Sequence, residues 1–145
     1  MDYSVTEGYF STRQEALAEI AARGWHAVEY SVPAEETELH WHDYEAVVFV
    51  LEGISRTVFE DGSVMEGGPG ARIDQPSRVL HRSGNTAFKA VFGFSVRLED
   101  MSQPIVKPAS DLQDQLLPMP DEAGGVSRLQ RSSLDPLALS SQPRA

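Results

Sequence analysis

The chain has 145 residues, no cysteine, and 22 acidic against 12 basic side chains for a formal charge of −10. That length fits one compact domain. The missing thiols exclude disulfide frameworks, thiolate metal sites, iron–sulfur clusters and cysteine nucleophiles, and the negative field disfavours nucleic acid and anionic membrane surfaces as partners. No apolar run is long enough to span a bilayer and no secretory leader pattern opens the chain, so a soluble, cytoplasmic protein is expected.

Thr12 followed three residues later by Glu15 has the form of a capping box, with Ala16, Leu17, Ile20 and Ala21 recurring at helical spacing and Gly24 available as a stop; one short amphipathic helix is predicted over 13–23. Everything after it reads as β structure, in runs 25–32, 38–42, 45–51, 55–60, 63–65, 71–74, 78–82 and 88–98. These runs are short and rich in Val, Phe and Tyr, and they are separated by turn formers such as Asp61-Gly62 and Gly67-Gly68-Pro69-Gly70. Short strands without intervening helices predict an all-β antiparallel sandwich or barrel.

Two of the runs carry face information. In 88–98, Phe88, Ala90, Phe92, Phe94, Val96 and Leu98 share one face, which is expected to line the interior. Residues 46–51 are apolar on both faces, so either the 13–23 helix or a second subunit must cover the outer one. From Met101 onward aromatic residues are absent and six of the nine prolines appear. The expectation is a folded domain over 1–110 and a weakly ordered tail over 111–145, in which Leu112, Leu116 and Leu117 could dock as a short helical turn.

Only four histidines occur, at 26, 40, 42 and 81. His40 and His42 stand two apart in a predicted strand, so both rings project from one face and can converge on one ion. His81, in another short strand after a Gly- and Pro-rich turn, is a candidate third ligand. Neutral imidazole suits iron, copper, nickel, zinc and manganese. His26 lies outside this pattern and is given no role. Trp41, between two ligands, should pack on the opposite sheet face, and Asn85 should satisfy backbone groups in the turn after His81.

The stretch His40-Trp41-His42-Asp43-Tyr44-Glu45-Ala46, leading to Val50-Leu51-Glu52-Gly53, resembles the first cupin motif. Gly70, Pro76, His81 and Asn85 have the spacing of the second, with Arg78 where a glycine is usual. With its flanking strands the resemblance covers most of 25–98. It implies a cupin-type double-stranded β-helix, that is, a small jelly-roll barrel, holding a divalent metal on His40, His42 and His81. The family's usual glutamate position is occupied here by Ala46. A regular strand puts Glu45 on the face opposite the histidines and gives a three-histidine site; a bulge around Asp43-Tyr44 would flip the parity and make Glu45 a fourth ligand.

Some cupin dioxygenases acting on aromatic or diketone substrates are similar to the three-histidine case and hold ferrous iron. The resemblance therefore implies a metal-dependent oxidoreductase acting on a small organic molecule, with Fe(II) favoured over Zn, Ni, Mn or Cu. The alternatives are a metal-dependent isomerase or a non-catalytic binding or sensing barrel. Three neutral ligands would leave the ion's full charge for an anionic substrate. Arg56, Arg72, Arg78, Arg82 and Arg97 are candidates to offset the acidic surface near the mouth, Arg78 most of all because it precedes His81. The family's habit of pairing barrels, with the doubly apolar run, suggests a homodimer.

Overall fold

A computed structural model describes residues 2–116 of the chain. In chain order the elements are β1 (Ser4–Thr6), α1 (Arg13–Ala22), β2 (His26–Val32), β3 (Glu35–Glu36), β4 (His40–Trp41), β5 (Ala46–Gly53), β6 (Ser55–Phe59), β7 (Val64–Gly67), β8 (Arg72–Gln75), β9 (His81–Asn85), β10 (Phe88–Phe94), a 3₁₀ turn at Leu98–Asp100, β11 (Lys107–Pro108) and α2 (Ala109–Leu116). The strands form two sheets, ordered β1-β8-β5-β10-β2 and β11-β4-β9-β6-β7, with β3 also on β9. Every pairing is antiparallel. The chain changes sheet between β4 and β5 and repeatedly thereafter. This alternation winds the two sheets into a jelly roll, the all-β class expected from the closely spaced strands.

The helix forms where its caps place it. Thr12 Oγ1 accepts from Glu15 N at 3.1 Å, and Glu15 Oε1 accepts from Thr12 N at 3.2 Å, so two otherwise orphaned donors are satisfied reciprocally. Ala16 and Ile20 then pack on Val47, Phe49 and Val91. Among the two covers considered for the doubly apolar β5, the helix is the one observed, so that run gives no ground for a second subunit. Gly93 makes the approach possible: a Cβ there would lie 2.7 Å from Ile20 Cγ1.

The inward face of β5 joins the other half of the core, where Val48 and Val50 meet Ile73, Phe88 and Ala90. The 88–98 run was expected to alternate to its end, but β10 stops at Phe94. Val96 and Leu98, beyond the last paired residue, are 36% and 38% exposed. Strand pairing had held the alternation; once it ends, the chain turns and parity no longer sorts inside from outside.

Segment 78–82 also differs from expectation, since β9 begins only at His81. Arg78 has φ 63°, a left-handed turn conformation in which no strand can start, and which explains why a glycine is usual there. The short pieces β1, β3 and β11 were not predicted. Leu112 does dock, as expected, on Trp41 and Leu80. The expected boundary between residues 110 and 111 falls inside α2; Leu117 and the rest of the expected tail lie outside the described residues. Among the described residues no helix is long and apolar enough to cross a membrane.

Candidate metal centre

The three histidines come from both ends of one pairing. His40 on β4 stands directly opposite His81 on β9, and His42 follows just past the end of β4, where the chain begins its crossing to the other sheet. The ring centroids of His40 and His81 are 4.5 Å apart, those of His40 and His42 5.0 Å, and those of His42 and His81 5.3 Å. One ring nitrogen from each lies within 4.8 Å of the others.

Which nitrogen that is follows from hydrogen bonding. His40 Nδ1 lies 2.8 Å from Glu38 O, His81 Nδ1 2.8 Å from Val79 O, and His42 Nδ1 2.9 Å from Ile105 O. A carbonyl only accepts, so each Nδ1 carries the hydrogen and each Nε2 is left with a free lone pair. Burial, reinforced by the neighbouring histidines, pushes His42 down to about 3 and His81 down to about 4. Burial also lowers His40, against the opposing pull of the Glu38 carbonyl. All three are neutral at pH 7. Three neutral imidazoles, each held in place by a carbonyl on its other ring nitrogen, form a donor set that could hold a metal ion.

Glu45 is not among the residues brought together. Its N–H donates to Ser95 Oγ and its carbonyl accepts from Ser95 N, both at 2.9 Å. These bonds continue the β5–β10 pairing one step outward from Ala46 opposite Phe94. Neither a regular strand nor a bulge describes residues 42–45, which cross from the sheet of β4 to the sheet of β5. Ala46, where the motif usually has glutamate, is 1% exposed and packs with Phe94 and Met101.

The cluster opens into a cavity of about 290 Å³ between the sheets. One wall is aromatic. From His42 the ring contacts run to Tyr44 at 4.9 Å, Phe94 at 5.2 Å, Phe92 at 5.8 Å and Tyr30 at 5.4 Å. The facing sheet contributes Ser55, Thr57, Ser83 and Asn85, and Tyr3 lies near His81. Tyr3 donates to Thr57 Oγ1 and accepts from Gln75 Nε2. Burial outweighs both bonds and pushes its phenol up to about 12; burial likewise raises Tyr44. Both stay protonated at neutral pH.

None of these four, Tyr3, Tyr44, Thr57 and Gln75, was found from the sequence. Tyr44 lies within the stretch that resembles the first motif, whereas nothing in the sequence marks Tyr3, which reaches the site only because β1 pairs with β8.

Arg78 is not at the mouth that its place before His81 suggests: its guanidinium lies over the Trp41 ring at 5.1 Å. Arg72 ties α1 to β8 through Glu19 and Asp74. Of the five arginines considered, Arg56 alone lines the cavity, and it pairs with Glu66 at 3.4 Å. Trp41 faces away from the cluster as expected, its Nε1 donating to Pro108 O. Asn85 Nδ2 donates to Pro33 O and Thr86 O. His26 pairs in β2, away from the cluster.

The architecture is the one the cupin motifs imply. Among solved structures the chain is similar to a DUF861 family protein from Thermotoga maritima, with 17% identity and a TM-score of 0.46 over 63% of this chain and 97% of that one. It is also similar to the DMSP lyase DddQ from Ruegeria pomeroyi DSS-3, with 24% identity and a TM-score of 0.40. That match covers 50% of this chain and only 38% of the lyase. No family model and no curated protein matches the chain.

Proposed function

We propose that His40, His42 and His81 hold a divalent metal, ferrous iron foremost, in an oxygenase-type enzyme that oxidises a small organic molecule. The observation that carries this reading is the common tautomer: three Nδ1–H groups committed to carbonyls and three neutral Nε2 lone pairs gathered in one buried place. Buried acceptors in such an arrangement are costly without a partner, and a cation satisfies all three at once. Bound there, iron would supply Lewis acidity and a redox couple for dioxygen.

The chain's own residues select the substrate. The aromatic wall from Tyr44 to Tyr30 favours a planar, apolar body, and the serine and threonine hydroxyls opposite favour a polar edge. Among the described residues the lining charges are Glu35 and the paired Arg56, so on that lining a substrate's negative charge would be met at the ion. Aromatic diols and diketones combine a chelating oxygen pair with a planar body and suit both walls.

The test is anaerobic loading with ferrous iron, then oxygen uptake with catechol, gentisate and acetylacetone. Uptake that needs both iron and one of these compounds is expected, with stoichiometric metal lost in His40→Ala and in His81→Ala. Retention of metal by both variants would overturn the centre. Absence of uptake, with thermal stabilisation by one of the compounds, would instead assign the cavity to binding without turnover.

A further inference from the structure

His42 differs from its two partners in what holds it. His40 and His81 each donate to the carbonyl two residues upstream, so their orientation is set within their own short segments. His42 donates to Ile105 O, 63 residues further along the chain, in a segment that neither histidine motif includes.

That segment forms a strap along one part of the cavity lining. It leaves β10, passes through the 3₁₀ turn, contributes Met101 and Ile105 to the lining, and ends in β11, which pairs Lys107 with Trp41 and Pro108 with His40. Its fastening is ionic. Lys107 is only 7% exposed, and its Nζ donates to Pro104 O at 2.7 Å and to Ser102 O at 3.3 Å. The same ammonium lies 3.8 Å from Asp43 Oδ2, which also accepts from Ser102 Oγ at 2.7 Å. Asp43 immediately follows His42. The ammonium's two hydrogen bonds hold the turn carrying Ile105 together from within, and the turn is tied to the ligand loop at Asp43, by the Ser102 hydroxyl and by the ammonium's charge.

We infer that Lys107 and Asp43 are positioning residues for the metal centre: they fasten the strap so that the Ile105 carbonyl fixes the His42 tautomer and aims its Nε2 at the ion. The inference rests on the metal reading above, and neither residue touches the ion.

The test begins on metal-free full-length protein, with two-bond proton–nitrogen NMR correlations of the imidazole rings, followed by zinc affinity from competition with a chelating dye. In Lys107→Met, His42 is expected to exchange between its two tautomers while His40 and His81 keep Nδ1–H. The zinc Kd is expected to rise about ten- to a hundredfold, the usual range for losing an outer-shell partner. Ser102→Ala, at an exposed side chain, asks the same question with a milder change should Lys107→Met fail to fold.

Ile20→Ala, in the helix–sheet cluster remote from the site, should lower stability and leave both readouts at wild-type values. Unchanged His42 signals and zinc affinity in the strap variants overturn the inference, as does an equal loss of affinity in Ile20→Ala. A wild-type protein that takes up neither zinc nor iron removes the metal reading, and the tautomer comparison still decides whether the strap holds His42.

Discussion

Burial of neutral imidazole sets an acid limit on the metal-free protein. Unfolded histidine titrates near 6.5, whereas folded His42 and His81 are pushed down to about 3 and about 4. Between those values the unfolded chain binds more protons than the folded one, so this contribution is fully present above about pH 6.5 and is lost as the pH falls through about 4 for His81 and about 3 for His42. Urea midpoints of metal-free protein should therefore drop through that window, and His42→Leu should flatten the slope. Arg78 makes a second prediction at this scale. Arg78→Ala keeps the left-handed strain and loses the stack on Trp41, whereas Arg78→Gly relieves the strain. Chemical denaturation should find the glycine variant more stable than the alanine one by about 1 kcal/mol. The HxH pair and His81 were legible as candidates because their residue type and spacing alone express metal chemistry. Tyr3 was not, since a lone tyrosine near the chain start has no spacing to read.

At the level of elements, local signals worked where an element closes its own hydrogen bonds. The Thr12–Glu15 box and the Ala16–Ile20 spacing suffice to define α1, because both ends of each bond lie within a few residues. Two-residue strands such as β3 and β11 have no such signature. They exist because β9 and β4 offer them partners, and periodicity cannot show in two residues. The packing of α1 on β5 and β10 predicts that Ile20→Ala costs about 2–4 kcal/mol, measurable from denaturant midpoints. Gly93→Ala should also destabilise, by about 1–3 kcal/mol, because its new methyl would meet Ile20. A loss in the Gly93→Ala, Ile20→Ala double variant that is smaller than the sum of the two single losses would show that the two side chains compete for one space.

Across the whole molecule, the cavity is a property of two sheets rather than of any strand. The histidine wall and the aromatic wall belong to opposite sheets, and the strap from Leu98 to Pro108 adds Leu98, Met101, Ile105 and Val106 to the lining. An ion bound only by the folded arrangement must stabilise it. Thermal midpoints should rise with added ferrous iron or zinc, by a free energy of about 2.7 kcal/mol at a hundredfold excess over Kd, and the rise should vanish in His81→Ala. An antiparallel β domain with a capped helix near its start, and three imidazoles as candidates for a shared ion, can be read from the chain alone. These follow from residue type, periodicity and turn chemistry, which act within a few residues. That Glu45 lies outside the cluster, that α1 covers β5, that Arg78 turns to Trp41 and that Ile105 holds His42 emerges in the fold alone. Each of those depends on where a second segment lies in space, and the path of a crossing or a strap is set by what it packs against.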